Sequence, residues 1–369
     1  GVFIMRRLYA FLFLLAGFTL ACCCCESAAQ EKAPSYPEHQ DLSYFLDDTG
    51  TKQPIRRVVD WEKRKSHVLA NMQIVMGPLP TTPRPPLDIK VLEQETIGTL
   101  VRKKIEYATE PADRVRAYLF HPADSTQQKL PAVLCLHQTV PIGKSEPAGL
   151  GGNPNLHYAL HLALRGYVTL APDYPSFGEH NFDFDPDKSG YRSGTMKAIW
   201  DNLRAVDLLQ QLPQVDGQRI GCIGHSLGGH NTMFTAAFDP RIKAMVSNCG
   251  FTRFHKYYGG RLMGWTSARY MPRIATTYNN DPDRVPFDFP EIVAAFAPRP
   301  FLASSPVRDD NFEVSGVKDS IAAAKRIYEL YGLPENLQAN YPDCAHDFPE
   351  DVRKVAYEFF DRHLKAGSP

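Results

Sequence analysis

The sequence has no surplus of charge of either sign, because its 369 residues include 41 Lys+Arg and 41 Asp+Glu. A protein that binds nucleic acid normally carries a basic face, since its cations must displace the counterions of the phosphates. The balanced charge therefore argues against nucleic acid as a partner. Hydrophobic residues make up 43% and charged residues 22% of the chain, which is typical of a globular protein and excludes a disordered one.

The cysteines form no recognisable pairs. Cys22–Cys25 are consecutive, whereas Cys135, Cys222, Cys249 and Cys344 are scattered. Neither the CxxC pairs of a zinc site nor the cysteine density of a disulfide scaffold is present. We expect no metal, no cofactor and no required disulfide.

A long apolar run occurs at the N-terminal end. Two arginines precede the uncharged segment Leu8–Leu20, which is too short to span a bilayer with ease. Residues 1–29 are therefore predicted to be a bacterial signal peptide that directs export to the periplasm, the outer membrane or the medium. Ala21-Cys22 resembles a lipoprotein cleavage site, so a lipid anchor at Cys22 is the one membrane contact we expect. Cleavage after Ala29 and a retained membrane helix are the alternatives.

Residues 30–100 are predicted to form an N-terminal helical extension. This stretch is polar and rich in proline, but apolar residues recur at helical intervals in Ile55–Met76. Gly77-Pro78 follows and is a typical helix end. We expect the helix to dock on the domain that follows.

Residues 101–366 are predicted to form one domain in which strands and helices alternate. Lys104–Thr109 and Val115–His121 flank a short turn and predict an antiparallel hairpin. Short apolar strands separated by helices then predict an α/β fold, with a mostly parallel central sheet and helices on both faces. An insert, residues 251–296, precedes the predicted strand Pro300–Ser304. The other predicted strands are Ala132–His137, Tyr167–Ala171, Arg219–Gly224, Ile242–Ser247 and Leu337–Tyr341.

The segment Gly224-His225-Ser226-Leu227-Gly228-Gly229 carries the chemistry. It follows a predicted buried strand and precedes a predicted helix, which is the position of a nucleophile elbow. Glycine at 224 and 228 removes Cβ atoms that would collide with neighbouring chain. Ser226 is therefore the candidate nucleophile. The alternative is a glycine-rich turn whose serine has no catalytic part.

A serine hydroxyl needs a base, and the base needs a carboxylate. Asp309 and Asp310 follow the strand Pro300–Ser304, and His346 follows the next predicted strand. Both loops lie at carboxyl ends of strands, where open α/β sheets form their sites. His346 is the candidate base and Asp309 the preferred acid. A shift of the loop by one residue would favour Asp310 instead.

The oxyanion of an acyl-transfer reaction needs two backbone N–H groups. We expect one from Leu227, directly after the nucleophile. The other is expected from the loop after Ala132–His137, at Thr139 or Gln138, and the sequence leaves these two open.

With these residues the chain resembles the α/β-hydrolase superfamily. Gly224–Gly229, Asp309 and His346 match its triad pattern, and His137 and Ala171-Pro172-Asp173-Tyr174 match its landmarks. Within the superfamily it is most similar to the dienelactone-hydrolase and acetyl-xylan-esterase-like branch. The nucleophile is serine rather than cysteine, so the reaction of the dienelactone hydrolases is not implied.

The resemblance implies an exported serine hydrolase that cleaves carboxylic esters through an acyl-enzyme. A small-molecule or carbohydrate ester, such as a carbohydrate acetyl ester, is the implied substrate. One alternative is a peptidase or amidase similar to prolyl oligopeptidase catalytic domains, for which the residues before Arg102 are too few to build the usual propeller. The other is a non-catalytic binding protein on the same fold, against which the intact Ser-His-Asp set argues.

Overall fold

The computed structural model describes residues 33–124 and 128–365. The predicted signal region 1–29, including Cys22, lies outside these residues. Within the described part of the chain no helix has both the length and the apolar character needed to cross a membrane.

A mixed sheet of nine strands forms the centre of the molecule, in the order β11-β10-β9-β8-β6-β7-β5-β4-β3. The strands from β7 through β6 to β11 pair in parallel, whereas β3, β4, β5 and β7 pair antiparallel. The predicted α/β fold and its opening hairpin are confirmed. The strands are β1 Tyr44–Leu46, β2 Lys52–Pro54, β3 Lys90–Ile97, β4 Leu100–Glu110, β5 Asp113–Pro122, β6 Leu130–Leu136, β7 Val168–Pro172, β8 Val215–His225, β9 Ile242–Asn248, β10 Phe301–Ser304 and β11 Leu337–Asn340.

Helices cover both faces of this sheet. Alternate residues of β6 enter two different apolar clusters, with Leu134 in one and Val133 in the other, because successive side chains of a strand point to opposite faces. The first cluster includes residues of α1, α4, α5 and α8, and the second includes residues of α2 and α9. The helices are α1 Val58–Met76, α2 Tyr158–Leu164, α3 Pro186–Ser189, α4 Gly194–Gln211, α5 Leu227–Phe238, α6 Arg273–Thr276, α7 Phe289–Ala295, α8 Val314–Leu330 and α9 Glu350–Phe360.

The N-terminal extension is less helical than the sequence suggests. Besides α1 it contains the small antiparallel pair β1–β2 and the strand β3, which joins the central sheet beside β4. The sheet therefore begins before residue 101. No apolar alternation marks β3 in the sequence, because this edge strand is exposed on nearly every residue.

The insert after β9 packs around its own aromatic side chains. Phe254, Trp265 and Phe289 are buried, and the ring centroid of Phe289 lies 6.0 Å from that of Phe234 on α5. The predicted insert 251–296 thus lies against the helix that follows Ser226, where it forms a wall above the carboxyl end of the sheet. It includes the short 3₁₀ segments Phe254–Gly259 and Leu262–Trp265 together with α6 and α7.

Candidate active site

Ser226 lies on the sharp turn between β8 and α5. Its backbone has φ 53° and ψ −116°, a conformation that costs free energy in a non-glycine residue and persists only where the surrounding fold imposes it. A Cβ at Gly228 would overlap the carbonyl oxygen of Leu136, and one at Gly224 would overlap the backbone of Gly228. The steric reason expected for these two glycines is confirmed.

The backbone N–H of Ser226 donates to the carbonyl of Asn248 at 2.9 Å. This bond connects the turn to the end of the neighbouring strand β9. The turn is therefore held by β9 as well as by the elements β8 and α5 that it joins. The side chain of Ser226 faces a pocket.

The structure brings Asp309 to His346. Nδ1 of His346 lies 3.0 Å from Oδ1 and 2.9 Å from Oδ2 of Asp309. Asp309 is buried, and its Oδ1 also accepts the backbone N–H groups of Asn311 and Phe312. Asp310, the alternative acid, is exposed. Since carboxylate oxygens only accept, Nδ1 carries the hydrogen and Nε2 of a neutral ring is free to take a proton.

The loop that carries His346 is anchored through its neighbour Asp347. The carboxylate of Asp347 accepts from Asn153 at 2.9 Å and from Asn155 at 2.7 Å. Its backbone carbonyl accepts from the side-chain amide of Asn248 at 3.1 Å. Asn248 therefore contacts the nucleophile turn with its backbone and the histidine loop with its side chain.

His225 is buried directly before the nucleophile. Its ring centroid lies 4.7 Å from that of His346, and its Nδ1 is 2.7 Å from the side-chain amide nitrogen of Asn248. Burial, with a smaller contribution from the charge of His346, holds the pKa of His225 well below the usual value of histidine. His225 is therefore neutral, and it contributes to the site by packing against the ring of His346.

The pocket beside Ser226 has about 340 Å³ of empty volume. The loop after β6, the nucleophile turn, the insert and the loop after β10 all contribute to it. Among the described residues that line it, none is Lys, Arg, Asp or Glu. These residues are Thr139, Ser226, Leu227, His230, Tyr257, Gly264, Trp265, Tyr270, Asn311 and Phe312.

Two N–H donors are available near Ser226. Leu227 is the first residue of α5, so its N–H has no acceptor within the helix. Thr139 lines the pocket, whereas Gln138 directs its side chain away, to the carboxylate of Glu146 at 2.9 and 3.1 Å. Of the two residues that the sequence leaves open, Thr139 is the one that lines the pocket.

Two clusters of potential metal ligands occur in the described residues. His225, Cys249 and His346 form one, in which the side chain of His346 already pairs with Asp309 and that of His225 with Asn248. The other consists of Asp113, His180 and Asp201. There the Lys197 ammonium already pairs with Asp113 at 2.5 Å and with Asp201, which leaves little negative charge for a metal.

No sequence pattern singled out His230 or Asn248 as a functional residue. His230 follows Ser226 by four residues in a predicted helix, and that spacing alone places both on one face. Asn248 gave no comparable signal, because its contacts join three segments that are distant in the sequence.

The sheet topology and the placement of Ser226, Asp309 and His346 on strand ends are those of an α/β-hydrolase. Residues 155–366, more than half of the chain, match Peptidase_S9, the prolyl oligopeptidase family. The chain belongs to this family.

Two similar proteins match most of the chain. The Bacillus subtilis (strain 168) protein YtaP, assigned as a hydrolase, is 26% identical over 300 residues, which are 79% of this chain and 96% of YtaP. The 4-O-methyl-glucuronoyl methylesterase 1 of Wolfiporia cocos (strain MD-104) is 22% identical over 364 residues, 91% of this chain and 84% of that enzyme.

Solved structures share the fold. The glucuronoyl esterase from Solibacter usitatus superposes with a TM-score of 0.70 at 20% identity, covering 91% of this chain and 100% of that one. A Bacteroides fragilis protein assigned as an acetyl xylan esterase gives a TM-score of 0.62 at 19% identity, covering 92% and 89%. The predicted resemblance to the α/β-hydrolases is confirmed by the family match and by the shared fold, and the similar proteins include esterases that act on carbohydrates.

Proposed function

We propose that the protein is a serine esterase that hydrolyses carboxylic esters of carbohydrates, with Ser226 as nucleophile, His346 as base and Asp309 as the acid that orients it. One observation carries the proposal. The Asp309–His346 pair lies beside a strained serine turn that opens into a pocket, and this combination is what acyl transfer requires.

In the proposed reaction, Oγ of Ser226 attacks the ester carbonyl carbon while its proton passes to Nε2 of His346. The C–O bond to the alcohol then breaks, and the alcohol leaves with that proton. Water attacks the acyl-enzyme with the same imidazole as base, which releases the carboxylic acid and restores Ser226. Asp309 keeps Nδ1–H in place and stabilises the imidazolium that forms.

The N–H groups of Leu227 and Thr139 are the proposed donors to the oxyanion. Such donors stabilise the charge that develops in the tetrahedral intermediate, and the loss of one typically costs about 10²–10³ in kcat. The pocket position of Thr139 supports its choice over Gln138.

A carbohydrate ester is the proposed substrate for two reasons. Relatives and solved structures of this fold include glucuronoyl and acetyl xylan esterases. The pocket is lined by the aromatic rings of Tyr257, Trp265, Tyr270 and Phe312, which suit the faces of a sugar ring.

Replacement of Ser226 by alanine tests the mechanism. We expect Ser226→Ala to lower hydrolysis of 4-nitrophenyl acetate by at least ~10³-fold, and to abolish labelling by a fluorophosphonate, with an unchanged circular dichroism spectrum. Ser305 is a buried serine directly after β10. Ser305→Ala is the control, and we expect it to keep the fluorophosphonate label. Turnover or labelling retained in Ser226→Ala would remove Ser226 from the mechanism.

A peptidase is the second candidate, because the family matched is that of prolyl oligopeptidase. A panel of acetylated xylose, methyl glucuronate and proline-containing peptide nitroanilides separates the two functions. Faster cleavage of the peptides than of every ester would replace the esterase proposal.

We also propose that the chain is exported, with residues 1–29 as the signal. The support is the pair of arginines followed by the apolar segment Leu8–Leu20. Mass spectrometry of the mature N-terminus tests this: a lipid-bearing Cys22 or an N-terminus at Gln30 is expected, and an unprocessed chain in the cytoplasm would contradict it.

A further inference from the structure

His230 lies one helical turn beyond Ser226. Its backbone N–H donates to the carbonyl of Ser226 at 3.2 Å, as in a regular helix. Side chains four residues apart lie above one another on the same helix face, and they lean towards the N-terminal end. His230 and Ser226 accordingly line the same pocket.

The tautomer of His230 follows from its hydrogen bond. Nδ1 lies 3.1 Å from the carbonyl oxygen of Gly250. A carbonyl only accepts, so Nδ1 carries the hydrogen. Burial lowers the pKa of His230 to about 3, and the ring is therefore neutral at the pH at which esterases work. Its Nε2 is then an acceptor with a free lone pair.

Nothing within the described residues satisfies this acceptor. Their hydrogen bonds include one for Nδ1 of His230 and none for Nε2, yet Nε2 is not one of the fully buried atoms left without a partner. Because His230 lines the pocket, Nε2 is accessible from there. A ligand that brings a hydrogen-bond donor into the pocket can therefore pair with this acceptor, and a ligand without one leaves it unpaired by the ligand.

The surroundings of His230 limit what that donor can be. Its ring centroid lies 4.8 Å from that of Trp265, 6.4 Å from that of Tyr270 and 6.3 Å from that of Phe312. The pocket thus combines an aromatic wall, no charged residue among its described lining residues, and the acceptor of His230 one helical turn from Ser226. A charged ligand would find no counter-ion there. A neutral ring that carries hydroxyl groups matches both the wall and the acceptor.

We propose that His230 is a specificity-determining residue that accepts a hydrogen bond from a hydroxyl of the sugar ring bearing the scissile ester, while Trp265 packs against that ring. This inference rests on the proposed esterase function and narrows its substrate class to neutral, hydroxylated ring esters. A site that recognises a hydroxyl group disfavours the analogue without it, since its polar atom then stays unpaired.

The test compares esters that differ in their ring hydroxyls alone. Methyl glucuronate is paired with methyl tetrahydropyran-2-carboxylate, and 3-O-acetylxylose in its pyranose form with tetrahydropyran-4-yl acetate. For the intact protein we expect kcat/KM to favour the sugar of at least one pair by ~10-fold or more, mainly through KM. Equal values in both pairs would overturn the proposal.

Three variants then separate the acceptor from the structural role of the ring. His230→Asn keeps a donor near Gly250 but has nothing at the position of Nε2, whereas His230→Gln places a polar oxygen or nitrogen there. We expect the sugar preference to fall about tenfold in His230→Asn and to stay within about threefold in His230→Gln. His161→Gln, a helix-face histidine of α2 bonded to Tyr357, should leave it unchanged.

The outcomes are distinguishable from failure of the esterase proposal itself. A preference that is equally lost in His230→Asn and His230→Gln would assign His230 a packing role and overturn the inference. Absence of Ser226-dependent hydrolysis of 4-nitrophenyl acetate would instead reject the proposed function.

Discussion

Three histidines near the nucleophile differ in what their environments allow. Burial keeps His225 and His230 neutral, because a charged ring would lose its hydration there. His346 is less buried and faces a carboxylate. These environments support the proposal that His346, and neither His225 nor His230, transfers the proton.

This assignment predicts a simple dependence of activity on pH. Protonated imidazole cannot accept the serine proton, so kcat/KM should fall on the acid side of its pH profile. We expect a single protonation on the acid side for 4-nitrophenyl acetate, measured between pH 4.5 and 8. The midpoint of this acid-side fall in kcat/KM should be the same in His230→Gln as in the intact protein, because His230 stays uncharged in this pH range. A profile that is flat to pH 5 would contradict His346 as the base.

At the scale of elements, the carboxyl ends of β8 and β9 hold the parts of the site together. The end of β9 supplies Asn248, whose carbonyl accepts from Ser226 and whose amide donates to the carbonyl of Asp347. Ser226 and His346 are 120 residues apart in the sequence. Their relative position depends on this one side chain as well as on the sheet.

Asn248→Leu should therefore lower turnover. Leucine has a similar volume but donates no hydrogen bond to Asp347, so the histidine loop is free to shift. A displacement of about 1 Å can cost on the order of 10²-fold in rate, and we expect a loss of about that size in kcat with little change in KM. Asn71 of α1 donates a comparable part-buried hydrogen bond to the carbonyl of Pro34 at 2.9 Å. The control Asn71→Leu removes this bond and should lower stability but not kcat. Equal kcat values for Asn248→Leu and the intact protein would contradict the positioning role.

At the scale of the whole molecule, a buried ion cluster fastens the N-terminal extension to the insert. Glu291 of α7 pairs with Arg64 of α1 at 2.7 Å and with Nδ1 of His39 at 2.8 Å. Nε2 of His39 faces the carbonyl of Val285 at 3.1 Å. Both ring nitrogens thus face acceptors. Burial alone would lower the pKa of His39, but the charge and hydrogen bond of Glu291 outweigh it, so the pKa is raised above its usual value and the native state favours the imidazolium. The extension in this way supports the wall of the pocket.

The stability contributed by His39 should depend on pH with a defined sign. Because the pKa of His39 is higher in the folded than in the unfolded chain, its contribution is complete below about pH 6.5 and is lost as the pH rises through the folded value. We expect His39→Gln to lower the free energy of unfolding by about 2 kcal/mol at pH 6, and by less at pH 9, in urea titrations. His255→Gln, on the exposed side of the insert, is the control with little effect. A loss for His39→Gln that grows with pH would contradict the charged state.

The sequence by itself determined the order of strands and helices after residue 101, because buried parallel strands are short apolar runs and their helices have clear periodicity. It also determined the sharp turn that carries Ser226, because glycine at 224 and 228 avoids steric overlap within that turn. Its preference for Asp309 over Asp310 agrees with the geometry, but that choice depended on one residue of loop register. The edge strand β3 was missed because an exposed strand has no buried face to mark it.

Only the tertiary structure decided the contacts between distant segments. These contacts include the two hydrogen bonds of Asn248, one to Ser226 and one to Asp347. The free acceptor of His230 and the uncharged aromatic pocket likewise arise where strand ends, the insert and two loops meet. Local patterns report which residues are buried and how the backbone runs, whereas hydrogen bonds between segments depend on packing distances that no local pattern contains. The α/β fold and the turn that carries Ser226 could therefore be predicted from the sequence, but the shape and polarity of the pocket could not.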